Sequence, residues 1–326
     1  MSRSERRSRG WLLALAGLAS SAVFLWLAVR NADVTVVRDE VQNADIWLLL
    51  LAVVVLGCGY LFQAIRWRRI ANTPRPGVGR FYGMVLSGLA CNNVMPIRIG
   101  ELLRARWLSQ DAPMPVGRAL GTVALDRGCD VVTLAFFLLI GLQAVASAEW
   151  LRQLVIGAAL VLVLFAGALL FARSYTARRT RGRHGRGRAR RIARDTLEML
   201  AEPIGRWRAA VWLGLSLCTW TLGAFAVMLV ARSVGIELAP VEAVLVAAVL
   251  SLGVAIPSSP GYVGTYQWLG VAVLGLLEVP VNQALAFTIL MQASWYVPTT
   301  VAGGAFLGVR AIRLSWRGRP SRPIPS

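Results

Sequence analysis

Lysine is missing from this chain, and histidine occurs once, as His184. A single histidine excludes catalytic triads and metal sites built on several imidazoles. The absence of lysine also excludes the Gly-rich Lys-Ser/Thr loop that binds ATP. The four cysteines are isolated and lie in or beside apolar runs, so they predict small core residues. We therefore expect no metal, no other cofactor and no catalytic residue.

Long apolar runs are what the chain has in excess. Hydrophobic residues make up 56% of its 326 residues, and a membrane-spanning helix needs about 20 of them in a row. Runs of that order are Trp11–Val29, Ile46–Ile65, Val131–Ala148, Leu154–Ala172, Ala209–Ala231 and Ala284–Val309. They predict an all-α, polytopic integral membrane protein with about six full spans plus two re-entrant or broken-helix elements.

The net charge of +19 is carried by arginines at the ends of the apolar runs. The positive-inside rule then predicts cytoplasmic N- and C-termini and a multi-pass protein of the cell inner membrane. It also predicts a cytoplasmic loop that begins at Arg66 and an outer loop at 31–45, which holds Asp33, Asp39, Glu40 and Asp45. Anionic inner-leaflet lipids are the expected partners of these arginine loops. The tract Arg178–Arg188 superficially resembles an RNA-binding segment, but no aromatic residues interleave it, so we expect no nucleic acid.

The chain predicts one membrane domain, 1–326, made of two halves. The first half is 11–172, the second half is 209–310, and a basic tail follows at 311–326. Between the halves, 173–208 holds a cytoplasmic basic loop and an amphipathic segment. We expect that segment to lie on the membrane with these residues on its apolar side: Ile192, Leu197, Leu200 and Ile204.

Two apolar stretches do not fit as simple spans. Both flanks of Phe81–Met95 are predicted to be cytoplasmic, so this stretch should dip into the membrane and return. Val241–Ile256 and Tyr262–Leu277 are short, and they form either two spans or one hairpin of half-helices, which charge cannot decide. Broken helices at corresponding places in two halves indicate a transporter site.

The first polar cluster lies directly after Phe81–Met95. Its members are Asn92, Asn93, Pro96, Arg98, Glu101 and Arg104. If Pro96 opens a helix, the free N–H groups point back towards Asn92 and Asn93 and can bind an anion. Arginines add bidentate donors suited to phosphate. The alternative is a solvated interfacial helix, in which Glu101 forms a structural ion pair with either arginine.

A second polar cluster, Asp126, Arg127 and Asp130, is predicted where the next span begins. Charged groups at that depth are costly and face protein or water. We interpret them as locking the first cluster in place, and ordinary charge compensation at a helix mouth is the alternative. The neighbouring arginine keeps both acids ionised, which disfavours acid/base catalysis.

A third cluster interrupts the last long apolar region. It comprises Pro260, Gly261, Gly264, Tyr266 and Gln267. Prolines and glycines release backbone groups that a ligand or nearby hydroxyl and amide side chains can satisfy. The alternative is a tight loop between two spans, with its tyrosines in the interfacial aromatic belt.

Together these clusters resemble the transmembrane region of lysylphosphatidylglycerol synthases and the flippase-like proteins built from that region alone. The residues that match the family motifs are Asn92, Pro96, Arg98, Gly100, Glu101 and Arg104, then Asp126, Arg127 and Asp130, and finally Pro260, Gly261 and Gly264. Gln267 departs from the family, which usually carries Glu there. No stretch resembles the soluble aminoacyl-transfer domain, so the resemblance implies the lipid-translocating half.

The resemblance implies a flippase-like transporter of an anionic or zwitterionic phospholipid or of a polyprenyl-phosphate lipid. Arg98 and Arg104 would contact phosphate, Glu101 and Asp130 would orient them, and neutral amides would add hydrogen bonds. The partner would be a membrane lipid with a phosphate-containing headgroup, besides a lipid-modifying enzyme or a second copy of the chain. The alternatives are a membrane-embedded headgroup or glycosyl transferase that uses acids of the outer loop, and a non-catalytic partner of a lipid-modifying enzyme.

Overall fold

All regular structure in the described part of the chain is helical. The computed structural model describes residues 22–95, 99–145, 187–254 and 260–317, with isolated positions between 153 and 174. After a helical stretch at 22–29, the long described ranges contain α1 Val34–Gln42, α2 Ile46–Ala71, α3 Val78–Val94, α4 Gly100–Asp111, α5 Val116–Gly141, α6 Arg188–Ala201, α7 Arg206–Ser233, α8 Pro240–Gly253, α9 Thr265–Gly275 and α10 Val281–Arg317. The predicted all-α class is confirmed.

Helices α2 and α7 are long and apolar enough to cross a membrane. Asp45 begins α2 by accepting hydrogen bonds from the backbone of Trp47 and Leu48, and Asn72 in the left-handed conformation ends it. The two helices pack against each other along their length. Gly59 lies beside Leu222 and Arg66 beside Ser216, so they run antiparallel.

Helices α3 and α4 form a hairpin. Gly100 lies against Gly88, where an added Cβ would come within 2.1 Å of the Gly88 carbonyl oxygen, and Gly88 lies against the side chain of Arg104. Residues later in α4 contact residues earlier in α3, so the chain turns back after Val94. The prediction that Phe81–Met95 dips and returns by itself differs from the structure, in which one helix runs through this stretch to Val94 and the returning arm is α4, the flank predicted to be cytoplasmic. Glycine is required between the two arms because their backbones touch.

Helices α8 and α9 form a second hairpin. Gly253 lies against Leu269, and a Cβ added at Gly270 would lie 3.6 Å from the Leu250 side chain. Helices α8 and α9 are therefore antiparallel. Their 14 and 11 residues give lengths of about 21 and 17 Å, short of the ~30 Å hydrocarbon core. These lengths favour the hairpin of half-helices over two spans.

The element order repeats. In each half, a long helix precedes a hairpin of shorter helices and a second long helix follows it: α2, α3–α4, α5 and then α7, α8–α9, α10. Because α2 and α7 are antiparallel, the two halves have opposite directions. The amino-acid sequence carries no clear residue-level repeat, so this relation emerges only from the structure.

One expectation for the helix limits is wrong, and the membrane position of the amphipathic segment stays a prediction. The span predicted at Val131–Ala148 is α5, which begins at Val116, so the acids of the second cluster lie in mid-helix. The amphipathic segment packs on protein: Met199 of α6 is 4% exposed, and Gly117 and Gly121 of α5 allow α6 to approach closely. Most of 146–186, including the span Leu154–Ala172 and the loop after it, lies outside the described residues, as does most of Trp11–Val29.

Candidate functional site

A buried arginine that the sequence placed in a cytoplasmic loop organises the site. Arg66, in α2, has no exposed side-chain surface. Its Nε lies 2.8 Å from Asp126 Oδ1, its Nη2 lies 2.8 Å from Asp130 Oδ1, and its Nη1 donates to Ser216 Oγ at 2.7 Å. Because the two acids are one turn apart on α5, one guanidinium spans both.

Arg104 completes this ion-pair cluster from the first hairpin. Its Nη2 lies 3.0 Å from Asp126 Oδ2, and its guanidinium lies 4.2 Å from the centroid of the Trp67 ring. Asp126 therefore holds two arginines from different helices, as the locking role of the second cluster predicted. Removing either partner of such a buried pair leaves an uncompensated charge, so the cluster fixes how α4 sits on α5.

Arg127 and Glu101 are more open than the rest of the cluster. The Arg127 side chain is 38% exposed, and it lies 3.5 Å from Asp126 and 3.4 Å from Asp130. Glu101 is half-buried, and both of its carboxylate oxygens accept from Asn92 Nδ2, at 3.2 and 3.3 Å. These two side chains belong to the wall of a cavity.

The cavity lies between the two halves and has a volume of about 410 Å³. Its wall takes residues from α2, α3, α4 and α5 of the first half and from α7, α8, α9 and α10 of the second. Most of the lining is apolar or aromatic, with a few polar groups that converge. Sites for small ligands have this composition and a volume of about 300–1,000 Å³.

The tip of the first hairpin is tied by an amide. Helix α4 begins at Gly100 rather than at Pro96, and its first N–H donates to Asn92 Oδ1 at 2.8 Å. The amide thus occupies a helix N-terminal donor that an anion would otherwise take. Pro96 and Arg98 lie outside the described residues.

The tip of the second hairpin is tied by two glutamines. Gly261 and Gly264 have φ of +74° and +89°, the left-handed region that favours glycine. Gln267 Oε1 accepts from the Gly264 N–H at 2.7 Å, while its Nε2 donates to Gln292 Oε1, and Gln292 Nε2 donates to the Gly261 carbonyl oxygen. The result is a closed network of neutral hydrogen bonds.

Helix α10 connects the two tips. Asn93 Nδ2 donates to Thr300 Oγ1 at 2.8 Å and to Thr299 Oγ1 at 3.2 Å, while the Tyr296 hydroxyl donates to the Asn93 carbonyl oxygen at 3.3 Å. One turn earlier on the same helix, Gln292 holds the second hairpin. The break at Pro260–Tyr262 also contacts α3 directly.

The structure sorts the predicted site residues into three groups. The cavity wall takes these: Asn92, Asn93, Glu101, Arg127, Asp130 and Tyr266. Arg104 and Asp126 lie behind the wall in the ion-pair cluster. Among the described residues, Arg127 therefore has the position at the cavity that was predicted for Arg104. Gly261, Gly264 and Gln267 shape the second tip, and the Pro260 backbone lies at its start.

Sequence reasoning missed several members of the site: Arg66, Ser216, Trp220, Gln292 and Tyr296. A signal for Arg66 was present, because two buried acids on one helical face need more positive charge than Arg127 supplies. The others had no local signal. They become neighbours only when α7 and α10 pack against the first half.

Two of the acids in the predicted outer loop cap helices. Asp33 accepts from the backbone and hydroxyl of Thr35, at 2.8 and 2.6 Å, and so caps α1. These hydrogen bonds lower the pKa of the Asp33 carboxyl. Asp45 caps α2 in the same way. Among the described residues, no group of three or more His, Cys, Asp or Glu side chains is arranged to hold a metal.

Comparison with known proteins places the chain in a family. It is 27% identical to a protein named Glycosyltransferase AglD, from Haloferax volcanii, over an alignment of 335 residues. That alignment covers 89% of this chain and 53% of the Haloferax protein, so the chain spans about half the length of this relative. The family described as the lysylphosphatidylglycerol synthase TM region matches residues 13–303, and the chain belongs to that family.

Proposed function

We propose that this membrane protein moves a phospholipid or polyprenyl-phosphate lipid across the cell inner membrane. The observation that carries the proposal is the position of Arg127. Its guanidinium is partly exposed in a cavity walled by both hairpins, whereas its two carboxylate partners are buried. A charged group at this depth is a functional site by default, because it is costly and faces protein or water.

Each predicted contact has a role in this proposal. Arg127 binds the phosphate, with Arg98 as a further candidate from the first cluster. Arg104 acts as a positioning residue, since Asp126 holds it behind the wall. Asn92, Asn93 and Gln267 hold the hairpin tips, so that their breaks stay at the cavity. The acyl or prenyl chains remain in the bilayer while the headgroup moves.

The repeated element order supports transport over simple binding. Inverted halves with broken helices that meet at one site are typical of secondary transporters, in which access alternates between the two sides. No ATP-binding loop occurs in the sequence. Transport is therefore passive, coupled to a gradient, or dependent on a partner protein.

A second candidate function is transfer of a sugar or headgroup, or support of an enzyme that performs it. The observation that favours it is the likeness to the protein named a glycosyltransferase. Against an active site on the outer loop, Asp33 and Asp45 are engaged as helix caps. Under the transferase proposal, Asp39→Asn and Glu40→Gln abolish sugar transfer to a lipid phosphate, whereas under transport they leave lipid movement unchanged.

The decisive experiment is lipid translocation in liposomes that contain the purified protein. We expect wild type to move phospholipid between leaflets and Arg127→Gln to reduce the rate by about tenfold or more, as expected when a charged hydrogen bond is lost. Arg118→Gln is the matched control, since Arg118 lies on the same helix and pairs with Glu202 outside the cavity. Equal rates for the two variants, or no movement by wild type, would overturn the proposal.

A further inference from the structure

Two polar side chains of the cavity wall have no hydrogen-bond partner in the described protein. Gln63 of α2 is 5% exposed, and within the part of the chain that the structure describes its amide makes no hydrogen bond. Tyr60, one turn earlier on the same helix, is half-buried, and its hydroxyl has no hydrogen-bond partner among those residues either. Both residues belong to the cavity wall. Because buried polar groups are normally hydrogen-bonded, these two exceptions need an explanation.

Both groups are open to the cavity. The buried side-chain atoms that lack both a partner and accessible surface include the Arg104 Nε and the Thr265 hydroxyl, but neither the Gln63 amide nor the Tyr60 hydroxyl. A molecule in the cavity can therefore reach these two groups. An amide offers two donor hydrogens and an acceptor oxygen, and a phenol offers one donor hydrogen. Both side chains can thus donate to the oxygens of a phosphate.

The polar side chains that face α2 across the cavity are occupied. Trp220 Nε1 donates to Asp130 Oδ1 at 3.0 Å, and Thr219 Oγ1 donates to the Leu215 carbonyl oxygen at 2.9 Å. These side chains of α7 spend their donors on the protein itself. The donors on α2 differ from them in being available to a ligand.

The two available donors lie in line with the ion-pair cluster. Arg66, Gln63 and Tyr60 are spaced by three residues, so they follow one side of α2, about 4.5 Å apart along the helix axis. Arg66 pairs with Asp130, and Arg127 lies 3.4 Å from the same acid. The donors therefore lead away from the proposed phosphate site, towards the end of α2 that is predicted to be on the outer side.

The wall also leaves room at the far end of this line. Ser216 of α7 contacts Arg66, and Gly223 lies two turns further along this antiparallel helix, in the same direction as Tyr60. Gly223 belongs to the cavity wall. Among described neighbours, a Cβ added at Gly223 would meet only the Trp220 ring, at 3.8 Å. A larger side chain at this position would therefore occupy part of the cavity.

We propose that Gln63 and Tyr60 form a second binding position, which the lipid phosphate occupies after it leaves Arg127. The Gln63 amide and then the Tyr60 hydroxyl donate to phosphate oxygens, one turn of α2 at a time. Neutral donors suit this task, because conduction requires contacts that are strong enough to admit the ligand and weak enough to release it. This inference rests on the proposed function and names the path within it.

The test measures the rate of lipid movement in variants of the full chain. They are reconstituted in phosphatidylcholine liposomes with phosphatidylglycerol that carries a fluorophore on an acyl chain, and a membrane-impermeant reductant reports transfer between leaflets. We expect Gln63→Leu to slow movement about tenfold and Tyr60→Phe about threefold or more, the factors that follow from losing one hydrogen bond to phosphate. Tyr82→Phe is the matched control, because the Tyr82 hydroxyl donates to the Gly57 carbonyl oxygen instead, and it should keep the wild-type rate.

Stability separates a ligand contact from a structural role. Gln63→Leu and Tyr60→Phe leave no described protein group without a partner, so the free energy of unfolding should equal that of wild type or exceed it. A variant that is slow but equally stable has lost a contact to the lipid, since binding groups are kept at a cost in stability. A loss of stability that accompanies the loss of rate would show that these side chains hold the fold.

Gly223→Leu tests the same path by its space. Leucine would fill the cavity beside the path, while its helix propensity exceeds that of glycine, so lipid movement should fall at least about tenfold without loss of stability. Gly214→Leu is the matched control on the same helix, because Gly214 is exposed and no described neighbour lies within 4 Å of an added Cβ. It should move lipid as wild type does.

The outcomes separate the path from the proposed function. Wild-type rates in Gln63→Leu, Tyr60→Phe and Gly223→Leu overturn the path and leave lipid movement standing. Slow variants that are also less stable than wild type overturn it too. Movement of no lipid by wild type overturns the proposed function, and the path falls with it.

Discussion

The two hairpins are held in different ways. The first is fixed by charge, because Arg104 of α4 pairs with Asp126, which also binds Arg66. The second is fixed by neutral amides, through Gln267 and Gln292. Both hairpins make a sharp break, and both use a side chain to satisfy a freed backbone N–H group, Gly100 in one and Gly264 in the other.

This difference shows that a backbone N–H group freed by a helix break can be satisfied with or without the desolvation of charged groups. Amides satisfy a break with no desolvated charge, whereas the ion-pair cluster needs every member present to balance. We infer that the cluster is kept because Arg127 must be charged beside the cavity. Its buried acids hold that charge in place, and the amide network of the second hairpin has no such task.

Removing Arg66 should give the largest effect. Arg66→Leu leaves Asp126 and Asp130 without their shared partner, and breaking a buried pair typically costs about 3–5 kcal/mol. The measurement is the free energy of unfolding in mixed micelles. Arg69→Leu, three residues on at an exposed position, is the matched control. If both variants unfold alike, the cluster does not hold the first hairpin.

Removing the amide of the second hairpin should cost less. Gln267→Leu leaves the Gly264 N–H and the Gln292 Oε1 without partners, while Gln292 Nε2 keeps the Gly261 carbonyl oxygen, a loss of about 1–3 kcal/mol. The same titration measures it, with Gln42→Leu at the exposed end of α1 as control. A loss as large as that of Arg66→Leu would erase the contrast between a charged and a neutral anchor.

The loss of stability should be smaller again when the hydrogen bonds between Asn93 and α10 are removed. Asn93→Ala removes the donor to the hydroxyls of Thr299 and Thr300. Those hydroxyls also bond to backbone carbonyls of α10, so the expected loss is about 0.5–1.5 kcal/mol. Asn31→Ala at an exposed turn is the comparison. Stability equal to the control would mean that α10 does not couple the two tips.

The smallest effect is expected where α10 meets the far end of α4. Arg310 Nη1 lies 2.8 Å from Asp111 Oδ2, and Arg310 also donates to Gln110. Arg310→Gln should cost about 0.2–1 kcal/mol, and high salt should diminish the difference. Arg80, 3.9 Å from the same acid, gives the control Arg80→Gln. A salt-independent loss would indicate packing rather than charge.

The sequence predicted the hairpins better than it predicted their anchors. Apolar runs too short to span and arginine placement were enough to predict a break near Phe81–Met95, but not that the charged helix α4 would be the returning arm. The position predicted for Arg66 was wrong because α2 continues as a helix to Ala71. Arg66 therefore lies in the interior and not in a loop. Local patterns do not report which charges meet, since Arg66, Arg104 and Asp126 come from three separate helices.

The second hairpin shows the same limit. Pro260, Gly261 and Gly264 marked the break, because the left-handed conformations there favour glycine. The partner that closes the network, Gln292, lies on α10, 25 residues from Gln267. It carries no motif, and only the packing of α10 reveals it.

Adjacent positions on α7 show whether the cavity between the hairpins is open to water within the membrane. Thr219 belongs to the cavity wall, whereas Cys218 is exposed on the outer surface of the helix. In a background without the other cysteines, we compare the native Cys218 with Thr219→Cys for reaction with a charged, membrane-impermeant thiol reagent. We expect Thr219→Cys to react and Cys218, facing lipid, to remain unmodified. An unreactive Thr219→Cys, or equal reaction at both positions, would contradict a cavity open to water.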